Sequence, residues 1–272
     1  MPHKAAGLAP QAQWLLDQIP IRAGWRTADI GCGPIGILDL HSERVGPQGL
    51  VVGLEREARF FAMACAEAKR RGLGNVRIVA GDALNPDLQE GPFDFAHERL
   101  VLMYMPQAQQ RTMVSQMLAL LKPGGSIALQ DYDRVLRVLP RTSILGDFVQ
   151  SPTPTPSVPA VATARRVLPW LLRSAGARNV KTKIHASFVD VGDSRRTHQL
   201  GLLAVMEDKI LALGRFGRTE FAEHKQALLE HLAHPDTLLI DHLLVQAWGQ
   251  AGRETRNRSF RANQRARGFG RA

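Results

Sequence analysis

The stretch Asp29-Ile30-Gly31-Cys32-Gly33-Pro34-Ile35-Gly36 holds the residue types and spacing best suited to gripping a ligand through the backbone. Glycines leave the main chain open to close approach, and the N-terminus of a helix following such a turn offers unpaired N–H groups. Three carboxylates accompany it: Asp29 itself, Glu55, which lies 24 residues after Gly31, and Asp82. In dinucleotide folds a carboxylate placed like Glu55 takes hydrogen bonds from ribose hydroxyls. The spacing Gly31-x-Gly33-x-x-Gly36 matches the dinucleotide pattern, so the glycines alone leave the ligand open. Asp29 weighs against a dinucleotide, because a carboxylate immediately before the turn repels a pyrophosphate and attracts a cationic amino group. The three acids together suit a ligand that carries ammonium, ribose and adenine.

These side chains meet only if their elements deliver them to one edge. The pattern predicts a helix over Leu8 to Ile19, then a strand from Thr27 to Ile30 that runs into the glycines. It continues with a helix from Ile35 to Val45, a strand from Leu50 to Leu54 ending in Glu55, and a helix from Arg56 to Arg71 stopped by Gly72. Strands follow from Val76 to Ala80, before Gly81-Asp82-Ala83, and from Phe93 to Ala96; a helix spans Gln107 to Leu121, the turn Lys122-Pro123-Gly124-Gly125 closes it, and a fifth strand spans Ser126 to Gln130. Short strands alternating with longer helices signal βαβ units and a parallel sheet covered on both faces. The expected fold is α/β: a Rossmann-like doubly wound sheet, mostly parallel with an antiparallel last strand, carrying helical lid insertions. Parallel strands present their carboxyl ends together, which puts Asp29, Glu55 and Asp82 on the rim where such folds bind ligands.

After Asp133 the rhythm breaks. The proline-rich run from Ser151 to Pro159 can form neither helix nor central strand, and reads either as a surface loop or as a wall over a substrate pocket. Beyond it come a helix from Ala160 to Ser174, a strand from Val180 to Val189, helices from Gln199 to Ala212 and Thr219 to Leu232, and a last strand from Leu238 to Trp248. The expected organisation is a helical cap over residues 1–25, a ligand-binding core over 26–133, a lid or substrate region completing the sheet over 134–252, and a basic tail over 253–272.

The chain has 272 residues, 44% of them apolar and 22% charged, which excludes collagen-like, coiled-coil and wholly disordered classes. No apolar stretch reaches bilayer length and Met1 to Pro10 lacks an export layout, so a cytoplasmic protein with no membrane partner is expected. Cys32 and Cys65 are too few for a disulfide framework, which fits a reducing compartment. Of the net charge of +10, seven arginines against Glu254 place +6 in residues 253–272. That tail reads either as a solvated extension or as an arm for nucleic acid or another anionic surface.

S-adenosylmethionine is the molecule that joins ammonium, ribose and adenine. The residues Ala28-Asp29-Ile30-Gly31-Cys32-Gly33-Pro34, Val52-Gly53-Leu54-Glu55, Ala80-Gly81-Asp82-Ala83, Phe93-Asp94-Phe95-Ala96 and Leu120-Leu121-Lys122-Pro123-Gly124-Gly125-Ser126 follow one another in a familiar order. With them the chain resembles the class I S-adenosylmethionine-dependent methyltransferases, particularly the small-molecule group of the type 11/25 kind, over residues 29–133. The resemblance implies S-adenosylmethionine as cofactor and a small-molecule acceptor. It implies that the Gly31 and Gly33 backbone lines the methionine part with Asp29 near its amino group. Glu55 would bind the ribose, Asp82 would accept from the adenine amino group, and the Ala83 N–H would face the ring. The third glycine of the family falls where this chain has Ile35, with Gly36 one residue later, a departure that bears on loop geometry.

Methyl transfer from a sulfonium is an in-line displacement, in which positioning does much of the work. A hydroxyl acceptor calls for a general base, whereas an activated carbon or an amine needs little. His97-Glu98-Arg99 and Asp131-Tyr132-Asp133 are expected just beyond the fourth and fifth strands. His97 is the candidate catalytic base by its intrinsic titration range, or else a member of a structural ion network with its neighbours. Arg99 either contacts the cofactor carboxylate or pairs with an acid; Tyr104 and Met105 line the acceptor site or pack. Asp29 as a helix cap, Asp82 as a turn residue and Cys32 as a packing residue are the structural alternatives. His185 and His198 stand alone, and His231 and His234 lack a completing acid or thiol pair, so no metal site is expected. Two other functions stay open: an S-adenosylmethionine-binding protein that transfers no methyl, such as a cyclase or regulator, and a nucleic-acid methyltransferase or binder using the arginine tail, although no Asn-Pro-Pro-Tyr-type motif occurs.

Overall fold

The computed structural model describes residues 8–34, 36–133, 137–139, 164–193, 195–212, 214 and 217–252, apart from the side chains of 164–166, 197–199, 202, 205, 206 and 209. Ile35, the proline-rich run 151–159, residues 160–163 of the helix expected from Ala160, the His198 side chain and the tail 253–272 lie outside the described residues.

The chain opens with α1 (Ala9–Asp17), β1 (Arg26–Ile30), α2 (Leu38–Val45), β2 (Leu50–Glu55), α3 (Ala58–Arg70) and β3 (Val76–Ala80). It continues through β4 (Phe93–Arg99), α4 (Gln107–Ala119), β5 (Leu121–Asp133), β6 (Arg137–Leu139), α5 (Ala164–Ser174), β7 (Arg178–His185) and β8 (Phe188–Val189). It ends with α6 (Arg195–Leu211), α7 (Arg218–Ala233), β9 (Leu238–Ile240) and β10 (Leu243–Gln250). Seven strands form one sheet in the order β3-β2-β1-β4-β5-β10-β7, mostly parallel with one antiparallel strand. This is the expected Rossmann-like α/β fold. The order reverses between β1 and β4, and a reversal of this kind opens a crevice at the strands' carboxyl ends.

Period-two alternation divides the central strands between two helix layers. Ala28, Ile30, Val52, Leu54, Ile127 and Leu129 share one apolar cluster with Met113 and Met117 of α4 and Leu168 and Leu172 of α5. On the other face Phe95 and Ala128 pack with Leu15 and Leu16 of α1, while Cys32 and Val51 pack with Leu38 and Val45 of α2. The register Asp29↔Gly53 and Asp29↔His97 sets Asp29 at the centre of this second face.

The structure corrects four boundaries. His97-Glu98-Arg99 and Asp131-Tyr132-Asp133 lie within β4 and β5 rather than beyond them, because parallel pairing continues through Glu98↔Leu129 and Arg99↔Gln130. Lys122 to Gly125 loop out between the pairs Phe93↔Leu121 and Phe95↔Ser126, as a turn at this place would. The two long strands expected from Val180 to Val189 and from Leu238 to Trp248 each divide: β7 and β10 stay in the large sheet, whereas β8 and β9 enter a smaller one. The break has a local cause. The Asp241 N–H donates to the Ser187 carbonyl at 3.0 Å, and the Asp241 carboxylate accepts the His242 N–H at 2.7 Å, which turns the chain at this point.

The described residues fall into two compact units, one drawn from Met1–Asp131, Ala162–Lys183 and Val245–Ala272, the other from Tyr132–Val161 and Ile184–Leu244. In the first, among the described residues, β7 is the outermost strand of the sheet and exposes Arg178, Lys181 and Lys183. In the second, β9 pairs antiparallel with β6 and β8, and Val189 and Leu239 pack with Leu203, Leu228 and Leu232 of α6 and α7. The buried Arg196 ties this unit together, its guanidinium donating to the carbonyls of Val189 at 2.9 Å, Leu232 at 2.6 Å and Thr237 at 2.5 Å. Arg196→Met keeps the apolar stem and strands three acceptors, a loss on the order of 3 kcal/mol at about 1 kcal/mol per bond. A thermal unfolding curve should show its midpoint several degrees lower; a midpoint equal to that of the wild type would remove the guanidinium from this role.

Candidate functional site

The glycine turn begins where β1 ends. The Gly31 and Cys32 N–H groups both donate to the Leu54 carbonyl, at 2.8 and 3.0 Å, which folds the turn back over the end of β2. Gly31 stands at φ 75°, and a Cβ there would come within 2.6 Å of a Val101 methyl. Gly36 stands at φ 48°, where a Cβ would collide with the Cys32 carbonyl oxygen. Both positions therefore require glycine, for conformation and for space. The displaced third glycine thus has a steric reason of its own in this chain.

Glu55 closes β2 and turns its carboxylate onto the loop. Its Oε2 accepts the Gly33 N–H at 2.9 Å and its Oε1 the Glu57 N–H at 2.8 Å. Asp29 is buried, and its Oδ1 accepts a hydrogen bond from Nδ1 of His97 at 2.9 Å. Burial works to raise the Asp29 pKa, yet the hydrogen bond from His97 and the electrostatic pull of the basic side chains nearby, Arg99 among them, prevail and hold it below the usual carboxylate range. His97 is 0% exposed, and its Nε2 has no hydrogen-bond partner. Beside it, at 5.5 Å between ring centroids, lies His41 of α2, whose Nδ1 is 3.1 Å from the Thr27 hydroxyl. Burial drives the His41 pKa down to about 3, so its ring is neutral at physiological pH.

Asp82 sits just past β3 and is half exposed. Its Oδ1 accepts the Leu84 N–H at 2.9 Å, and its Oδ2 lies 3.8 Å from the Arg56 guanidinium. The turn alternative for Asp82 is thus satisfied by Oδ1 and leaves Oδ2 turned outward. The Ala83 methyl joins the core cluster. Arg99 ends β4 on the same face as His97, which explains its pull on Asp29. Cys32 is buried, and burial pushes its thiol pKa upward, the state of a packing residue rather than a nucleophile. Tyr104 is among the most exposed large side chains, and Met105 is half-buried beside the core.

Asp29, Gly31, Gly33, Glu55 and His97 therefore come together, with Arg99 on the same face, and Asp82 and Ala83 follow the adjacent strand β3. His41 and Thr27 were not singled out from the sequence. Their signal was the parity that puts Thr27, Asp29 and His97 on one face, plus a histidine on the helix that covers it. Among the described residues no group of three His, Cys, Asp or Glu gathers to hold a metal ion, and no helix is long and apolar enough to cross a membrane.

A methyltransferase-domain family model matches residues 28–125. Among relatives, the nocamycin O-methyltransferase of Saccharothrix syringae is 35% identical over 120 residues, 44% of this chain and 42% of that protein. The demethylmenaquinone methyltransferase of Geobacillus kaustophilus is 29% identical over 111 residues, 41% of this chain and 47% of that protein. The chain thus matches less than half the length of either relative. Among solved structures, phosphoethanolamine N-methyltransferase 2 of Haemonchus contortus, in complex with phosphomonomethylethanolamine and S-adenosylhomocysteine, superposes with a TM-score of 0.53 at 16% identity, covering 90% of this chain and 52% of that one. The matched segment begins one residue before Asp29 and ends at the loop that precedes Ser126, taking in the glycine turn and all three strand-end acids: over residues 28–125 the chain is similar to the methyltransferase-domain family.

Proposed function

We propose that the protein is an S-adenosylmethionine-dependent methyltransferase acting on a small-molecule acceptor. The observation that carries this reading is the Glu55 carboxylate held on the glycine turn by the Gly33 N–H at 2.9 Å, one strand away from the charged Asp29. The residues suit the group: a tight turn with no room for a side chain at Gly31 or Gly36, a carboxylate at its lip, and a second negative charge behind it. When bound, S-adenosylmethionine supplies a methyl group made electrophilic by its sulfonium.

Each oxygen of Glu55 accepts one backbone N–H and keeps a lone pair for a ribose hydroxyl. Asp29 attracts the ammonium of the methionine part, which lies along the Gly31 and Gly33 backbone, and Arg99 takes its carboxylate. Asp82 accepts from the adenine amino group, and the Ala83 N–H faces the ring. Complete burial and the bond to Asp29 favour His97 as the group that orients Asp29, in place of proton abstraction from an acceptor. Residues 26–133 form the cofactor half, residues 1–25 its helical cap, and residues 134–252 complete the sheet and supply the lid or substrate region. The names of the nocamycin and demethylmenaquinone enzymes support a small organic acceptor.

The test is calorimetric titration with S-adenosylhomocysteine, followed by incubation with methyl-labelled S-adenosylmethionine and a panel of phenols, amines and carbon acids. Saturable binding and label in an organic product are expected. A protein that binds no adenosyl ligand would overturn the reading.

A further inference from the structure

His41 is a fully buried histidine to which cofactor binding gives no task. It stands in α2, the helix that follows the glycine turn, on the buried face it shares with Leu38 and Val45. Those two neighbours are apolar and pack with Cys32 and Val51. Apolar contacts press a helix onto a sheet without fixing its place along the axis, because they carry no direction. A hydrogen bond does fix it, since it is lost beyond about 3.5 Å. Nδ1 of His41 and the Thr27 hydroxyl, 3.1 Å apart, form such a bond, and both side chains are buried. Among the described residues no side chain caps the start of α2, whose N-cap residue is Ile37. The other polar ties of the helix, Asp39 to Arg71, Ser42 to Asn75 and Arg44 to Asp17, lead to the end of α3, the residue before β3 and the end of α1. The tie to β1, the strand that carries the turn, is His41.

Thr27 and His41 thus bracket the whole glycine turn. The turn returns on its origin, since a Cβ on Gly36 would lie 3.3 Å from Oδ2 of Asp29. The His41 ring also backs the pair that holds Asp29. It stacks on Phe95 of β4, with ring centroids 5.3 Å apart at 27°, and lies 5.5 Å from the ring of His97, whose Nδ1 donates to Asp29. Strand parity brings these groups together: the register pairs Thr27 with Phe95 and Asp29 with His97, so all four share one face of the sheet. Burial keeps the His41 ring neutral, and it seats the helix without adding a charge beside Asp29.

We propose that His41 is a positioning residue: through its bond to Thr27 it sets α2 on β1 and so fixes the return of the glycine turn over Asp29. It acts through the turn and not on the ligand. The inference rests on the methyltransferase reading only for what the turn binds.

The experiment compares S-adenosylhomocysteine affinity, by calorimetry, in Thr27→Val, Thr27→Ser, His41→Phe and the double variant of Thr27→Val with His41→Phe, each at a temperature where its unfolding curve shows it fully folded. Thr27→Val keeps the shape and deletes the hydroxyl; His41→Phe keeps the stacked ring and deletes its nitrogens. Each should bind about five- to tenfold more weakly, the fold-change of one hydrogen bond. Because both delete the same bond, the double variant should bind no more weakly than either single one. Thr27→Ser keeps the hydroxyl and should bind as the wild type does. A residue that merely fills the core would lower the unfolding midpoint and leave the affinity of the folded protein unchanged. Wild-type affinity in both Thr27→Val and His41→Phe, or losses that add in the double variant, therefore overturns the assignment. If His41→Phe does not fold, the contrast of Thr27→Val with Thr27→Ser decides it. The same contrast is read without ligand from amide exchange of Gly31, Cys32 and Gly33, which should be about five- to tenfold faster in Thr27→Val. If the wild type binds no adenosyl ligand while that difference in exchange is present, His41 keeps its role and the proposed function falls; if the difference is absent too, both fall.

Discussion

Asp29→Ala should cost about 1–3 kcal/mol of folding stability, the usual loss when a buried polar group is left without its hydrogen-bond partner. Asp29 is the acceptor for Nδ1 of His97, and both side chains lie in the second, more polar face of the sheet next to the neutral His41. Without the carboxylate, a fully buried imidazole loses its hydrogen-bond partner. The pH dependence has a definite sign. The folded pKa of Asp29 is depressed, so its stabilisation is complete above the unfolded value of about 3.9 and disappears as pH falls through the lower folded value. Urea unfolding at neutral pH and at about pH 3 should show that component in the wild type and not in Asp29→Asn. An Asp29→Ala protein that unfolds at the wild-type urea concentration would dissolve the pair.

Glu55→Ala should weaken S-adenosylhomocysteine binding by about 1–3 kcal/mol, tenfold or more. Two effects add. The ribose loses its acceptors, and the Gly33 N–H, now held at 2.9 Å, loses the group that fixes the lip of the turn. Glu55→Gln retains one acceptor oxygen and should fall between the two. Because Glu55 ends an otherwise intact strand, unfolding should change far less than affinity, which separates this variant from Asp29→Ala. Calorimetry that returns wild-type affinity for both Glu55→Ala and Asp29→Ala would contradict the whole rim assignment.

Much of this was legible in the linear sequence, for a physical reason. A glycine turn and a strand-end acid are local signatures, carried by a few adjacent residues, and β1, β2 and β3 fall within one residue of their expected bounds. What escaped depends on distance. His97-Glu98-Arg99 is polar enough to read as loop, yet these residues complete a central strand because their partners, Asp29, the Val101 N–H and the Gln130 N–H, arrive from elsewhere in the chain. His41 has its partner Thr27 fourteen residues earlier, across a turn that sequence spacing does not bridge. The division of the two late strands hangs on Asp241 meeting Ser187, a contact between segments more than fifty residues apart.

The outer strand β7 carries a consequence for how copies of this protein treat one another. A terminal strand offers its unmated amide row to any matching chain, and side-by-side stacking of such margins is a common route to fibrils. Here Arg178, Lys181 and Lys183 crowd that margin with like charge, so a second copy meets electrostatic resistance along the whole length it would have to zip. The row thus works against pairing of this edge with the same edge of a second copy, and it does so away from the glycine turn.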